Sequence, residues 1–365
     1  MKHTWRKALL ALAGTALVLT AACGSDEDTS TATPAASGGA AVAATATATE
    51  DPKADWPEEI RLGFFGGDDA EEVLERVEPM RVYLEETLGR PVTIFTGTSY
   101  GAVIEAMRAE RVEGMLVGPF AYVLAVQEAG AEALAVSISC SSSEDPCQVV
   151  ERAPHYFSVI MAKKGSGIES IEDLRGADFA FVDPASTSGH LAPKTLLIQE
   201  GIDPDTEMST VFAGSHPTAV LALENDSVVA AATHENNLLN LINEGQVEAC
   251  FYEDGIANRG TPRTAEEIKA TYDACEDGKI VILAQTAPIP NTPFAVRSSL
   301  PESLKTAMKD ALLAIQNDPE AVALDRRWFV DPSEELGLES LDQYYNSLRD
   351  IAKLLDLDLK ELAES

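Results

Sequence analysis

From Trp56 onward, short β-type runs alternate with stretches of helical periodicity, and this constrains the fold more than any other feature of the chain. Ile60–Phe65, Val92–Thr96, Gly114–Val117 and 133–138 read as strands. Ala70–Leu88, 102–108 and 122–129 carry apolar residues at helical spacing. The alternation resumes with strands at 157–162, 179–182, 211–212 and 228–232, and with helices at 190–199, 218–224 and 236–243. Such alternation predicts an α/β chain of mostly parallel sheet flanked by helices. Residues 280–297 return through TAPIPNTPF, whose three prolines suit a stiff connection better than a central strand. The tail beyond Glu302 is helical by pattern.

The first 22 residues stand outside this pattern. Lys2, Arg6 and Lys7 precede an apolar run from Ala8 to Ala22, which ends at Cys23. A basic start, a short apolar middle and small residues before the cut describe a secretory signal over 1–22. The run is too short for the ~20 residues that span a bilayer. Thr20-Ala21-Ala22-Cys23 resembles a bacterial lipobox, with Thr20 where a leucine is usual, and implies lipidation of Cys23. From Ser25 to about Asp55 the chain is mostly Ala, Ser, Thr, Gly and acids without apolar periodicity, so 23–56 reads as a disordered tether beginning at the lipidated cysteine.

The remaining cysteines are Cys140, Cys147, Cys250 and Cys275. An even count in an exported chain points to disulfides, and 140–147 with 250–275 is the simplest of three connectivities. A net charge of −33 argues against nucleic acid and anionic membrane surfaces as partners. No phosphate loop, GxSxG elbow, HExxH or GxGxxG is present, so no cofactor is expected and enzyme readings have no support. A zinc receptor built from His155, His190, His216 and His234 lacks helical i, i+4 spacing, and His190 alone reads as a surface or helix-face residue.

Four strand-to-helix junctions share one chemistry: Gly97-Thr98-Ser99-Tyr100, Gly118-Pro119-Phe120, Ser186-Thr187-Ser188-Gly189 and Gly214-Ser215-His216-Pro217. Ligands of open α/β sheets bind beyond the carboxyl ends of strands, where helix starts present N–H groups to anions. Capping accounts for one hydroxyl per junction. Three in a row at Ser186–Ser188 exceed that need.

On those junctions, and on DPASTSGHLAP and FAGSHPTAVLAL, the chain from about Ile60 to Arg297 resembles the phosphate/phosphite/phosphonate-binding proteins of ABC transporters. The resemblance implies a two-lobed type II periplasmic-binding-protein fold. Lobe 1 would be 57–152 with 292–365, and lobe 2 would be 153–291. It implies an oxyanion held by Tyr100, Ser186, Thr187, Ser188 and His216, delivered by a monomer to a membrane permease. Members that bind aminoalkylphosphonates resemble one another in two carboxylates. Here an ungapped reading puts Asn236 and Thr292 at those positions, with Glu235 one residue away, and VVAAA stands where VDAA is usual. An ammonium group would then be desolvated unpaired. Phosphite, methylphosphonate or phosphate is therefore the expected ligand. The alternatives are a sensor presenting the same ligand to a membrane kinase, a metal receptor and a secreted phosphorus esterase.

Overall fold

A computed structural model describes residues 51–65, 67, 70–139, 155–252, 261–318, 320, 327–357, 359 and 362. All lie in one unit, Glu50–Ser365. Cys23, Cys140 and Cys147 fall outside the described residues, as do the signal and most of the tether.

β1 (Ile60–Phe65) is buried at every position but Arg61, as expected of a strand covered on both faces. It lies between β2 (Val92–Thr96) and β3 (Gly114–Val117), parallel to both. α1 (Ala70–Leu88) and α2 (Tyr100–Arg108) make the crossovers, and α3 (Pro119–Ala129) leads into β4 (Ala131–Ser139). After β5 (His155–Tyr156) the chain builds a second sheet. Its strands are β6 (Ser158–Lys163), β7 (Asp178–Phe181), β8 (Ser209–Phe212), β9 (Ala230–His234), β10 (Ala249–Cys250) and β11 (Ile280–Gln285). The helices around it are α4 (Ala192–Gln199), α5 (Pro204–Glu207), α6 (His216–Glu224), α7 (Glu235–Asn243) and α8 (Ala265–Ala274). β12 (Ile289–Pro290) then pairs antiparallel with β5, so the outgoing and returning segments run side by side. The chain re-enters the first sheet as β13 (Pro293–Arg297), followed by α9 (Glu302–Ala314) and β14 (Arg327–Val330).

The strand orders are β14-β4-β13-β3-β1-β2 and β10-β11-β6-β9-β7-β8. Each sheet is mostly parallel. β13 and β14 run against the rest of the first, and β6 against the rest of the second. This is the mixed α/β, type II binding-protein architecture that the alternation and the resemblance implied.

Two elements correct the sequence reading. The proline segment does supply a central strand, because β13 sits between β3 and β4. Pro293 is its first residue, a position where a missing N–H is tolerated. Thr292 just before it keeps the ladder going by accepting the Ser137 N–H at 2.8 Å. The tail is not wholly helical either: Arg327–Val330 adds an edge strand on β4, with Phe329 only 1% exposed. Smaller shifts have local causes. α2 begins at Tyr100 because Ser99 caps it, accepting the Ala102 N–H at 3.1 Å. β9 begins two residues later than expected, at Ala230.

Hydrophobic clusters cover both faces of each sheet. One cluster in the first half also takes in Ala185 and Leu191 from the second. Cys250 and Cys275 form a disulfide that ties β10 to the end of α8, Cα atoms 5.8 Å apart.

Candidate functional site

The second sheet offers its hydroxyl-rich junction just beyond β7. Gly189 is required there: a Cβ would lie 2.3 Å from the Val182 Cβ, so no other residue lets the turn approach the strand. Thr187–Leu191 winds as a wide π-type turn before α4, a feature that recurs at functional sites. The three hydroxyls divide their work. Ser186 is fully buried and its Oγ accepts the Gly189 N–H at 3.0 Å, so it serves as the cap. Thr187 and Ser188 are left to line a pocket of about 150 Å³.

The same pocket is lined by Tyr100, Gly118, His216, Asn236 and Thr292. The structure thus gathers six of the seven residues singled out from the sequence and sets Ser186 behind the wall. Asn236 is among the described lining residues and Glu235 is not. The buried Oδ1 of Asn236 has no hydrogen-bond partner among the described residues. The volume is below the ~300–1,000 Å³ typical of drug-sized ligands.

Three hydrogen bonds join the two sheets' junctions around the mouth. The Thr187 Oγ1 accepts the Phe120 N–H at 2.8 Å. The His216 N–H donates to the Gly67 carbonyl at 2.8 Å. The Asp183 carboxylate accepts the backbone N–H of Tyr100. The lobes therefore meet in a closed arrangement.

His216 is 2% exposed, and its Nδ1 lies 2.9 Å from the Thr233 Oγ1. Burial, with the neighbouring His234, holds its pKa well below the usual imidazole value, so the ring is neutral at pH 7. The Tyr156 hydroxyl is pushed up to about 12 by burial, and hydrogen bonds with Ser188 and Thr187 oppose the shift.

Five polar lining residues lay outside the expected anion set: Arg76 on α1, Ser137 on β4, Tyr156 on β5, Asn291 before β13, and His234 at the end of β9, which the sequence had offered only for the zinc reading. Arg76 had a signal, as a basic residue between the buried Val73 and Val77 in a helix otherwise rich in glutamate. Tyr156 had none. Among the described lining residues Arg76 is the one cation.

His190 is corrected as well. It is not on the surface but 5% exposed, set between Phe181 and Phe212, with Nδ1 2.8 Å from the Pro184 carbonyl. It lines a separate groove. Of the four histidines of the zinc reading, His216 and His234 are in contact, with ring centroids 4.5 Å apart. No cluster of three or more metal-ligating side chains occurs among the described residues.

A two-sheet α/β frame closing on a small polar pocket defines a solute-binding protein. The family described as "ABC transporter, phosphonate, periplasmic substrate-binding protein" matches residues 62–336, and the chain belongs to it. The chain is 32% identical over 179 residues to the phosphate-import protein PhnD of Mycolicibacterium smegmatis, covering 47% of this chain and 53% of that protein. It is 27% identical over 174 residues to the phosphonates-binding periplasmic protein of Escherichia coli, covering 46% and 48% respectively. The chain thus spans about half the length of these curated relatives. PhnD1 of Prochlorococcus marinus, solved in complex with methylphosphonate, shares the fold with a TM-score of 0.61 at 14% identity, covering 84% of this chain and 99% of that one.

Proposed function

We propose that this protein is the exported, lipid-anchored receptor of an ABC importer, and that it captures a small phosphorus oxyanion lacking an amine. Phosphite, methylphosphonate and phosphate are the favoured ligands, and lobes 57–152 with 292–365 and 153–291 close on them. One observation carries the reading: Thr187, Ser188, His216, Asn236 and Thr292 meet Tyr100 and Arg76 around a single pocket of about 150 Å³. Hydroxyl, imidazole and guanidinium donors match phosphoryl oxygens, and such charge-assisted bonds contribute ~1.5–3 kcal/mol each. The described wall has no carboxylate for an ammonium group, whose unpaired burial costs several kcal/mol. The mycobacterial relative is named for phosphate and the Prochlorococcus structure holds methylphosphonate, neither of which carries an amine. Arg76 brings a guanidinium donor to the pocket, and the long-range field of the chain's −33 is screened beyond about 8 Å at physiological salt.

Lobe closure excludes water, and the closed form is what a permease would receive; no bond is broken. A thermal-shift panel of phosphate, phosphite, methylphosphonate and 2-aminoethylphosphonate, followed by calorimetry, tests the reading. One of the first three should stabilise the protein most. A preference for the aminoalkylphosphonate would refute the ligand class.

A further inference from the structure

His234 closes β9 and caps α7, a position usually taken by Ser, Thr, Asp or Asn. Its Nδ1 accepts the backbone N–H of Asn237 at 3.1 Å. An amide can only donate, so this bond fixes Nδ1 as the unprotonated nitrogen and leaves the proton of the neutral ring on Nε2. His234 lines the pocket beside Tyr156 and His216.

Asn237 also reaches the neighbouring imidazole. It is 4% exposed, and its Nδ2 donates to the Thr233 Oγ1 at 3.0 Å. That oxygen lies 2.9 Å from the Nδ1 of His216. With its lone pair facing Asn237, the Thr233 hydroxyl can give its own proton to His216, which leaves the His216 proton on Nε2 as well. One asparagine, through its main chain and its side chain, thus holds both rings in the same tautomer.

We propose that His234 is a second oxyanion donor of this pocket, presenting its Nε2–H beside that of His216, with Asn237 as the positioning residue for both. The proposal rests on the phosphorus-oxyanion reading above. Two neutral imidazoles share the load without placing two like charges 4.5 Å apart.

The test separates capping from binding. His234→Asn keeps a good cap, because the asparagine oxygen accepts the same N–H, but it removes the imidazole. Calorimetry with phosphate, phosphite and methylphosphonate should show affinity for the preferred anion falling at least tenfold, with the melting temperature held. Equal affinity in parent and variant would leave His234 a cap and overturn the proposal. A parent that binds none of the three anions overturns the receptor reading instead, and the ligand role of His234 with it. Nitrogen NMR of the imidazole-labelled full chain is the second arm and does not depend on the variant's folding. Both rings should show a pyridine-type Nδ1 and a pyrrole-type Nε2, with the His234 Nε2 signal moving on anion addition. Asn237→Ala removes only the side chain, so it should release the His216 tautomer while the main-chain N–H keeps that of His234. A pyrrole-type Nδ1 at His234 in the parent, or a His216 tautomer unaltered in Asn237→Ala, would sink the positioning role.

Discussion

The Thr187 Oγ1 accepts the Phe120 N–H at 2.8 Å, so one side chain both lines the pocket and joins the two lobes. Thr187→Val keeps the shape but breaks that bond and removes a donor. Affinity for the preferred anion should fall about ten- to a hundredfold, corresponding to ~1.5–3 kcal/mol. Thr187→Ser retains the hydroxyl and should bind nearly as the parent does. Calorimetry on the pair decides; identical affinities for Val and parent would remove Thr187 from the site.

His216 and His190 differ although both are buried. His216→Ala should weaken binding, whereas His190→Ala should leave it unchanged, because His190 lines a different groove. A loss of anion affinity confined to the His190 variant would reverse the assignment.

Gly67 bears on the same ring from the other lobe. Its φ is +78°, and a Cβ there would lie 3.0 Å from the His216 Cδ2. Gly67→Ala should cost about 1–2 kcal/mol in backbone strain and push the imidazole out of place. Both the melting temperature and the anion affinity should drop. An unchanged affinity would show that the contact is not maintained in the bound form.

Much of this arrangement was legible in the sequence. The β1–β4 and β6–β9 runs carry their own periodicity, and three hydroxyls where capping needs one marked the Ser186–Ser188 turn. β13 was not legible, since its prolines signal an edge while its partners β3 and β4 lie more than 150 residues upstream in the chain. Arg76, Tyr156 and His234 stayed outside the expected anion set for a related reason. Each reaches the pocket through tertiary placement rather than through a motif of its own.

The depressed imidazoles give stability a definite slope with pH. His190 is lowered to about 4 by burial, against the hydrogen bond to Pro184, and His216 lies well below its usual value. Folded-state values below the unfolded ~6.5 mean that the contribution is fully present above ~6.5 and is lost as pH falls toward 4. Denaturant titrations at about pH 7.5 and about pH 5 should show lower stability at the acid value. The difference should shrink in His190→Gln, and an equal difference in that variant would contradict the assignment.

The Cys250–Cys275 bridge closes a 25-residue separation away from the pocket. Its removal should lower stability by about 3.5 kcal/mol, the chain-entropy value for such a loop. Reductant should therefore lower the melting temperature and leave anion affinity intact. Coupled loss of binding would mean that the bridge supports the site.

Cys23 carries the membrane prediction. The exported parent should partition into detergent, and Cys23→Ala should release it to the aqueous phase. Partitioning that survives the substitution would exclude the lipid anchor.

The three interlobe bonds described around the mouth each use at least one main-chain group: the amides of Phe120, His216 and Tyr100 and the carbonyl of Gly67. Main-chain groups are the same whatever residue bears them. Substitutions at Asn236, Thr292 or Arg76 can therefore redirect the pocket to another solute while most of the latch stays in place. On the proposed reading, cargo preference and the signal of occupancy are separable traits, and a single transport apparatus could serve receptors for different anions.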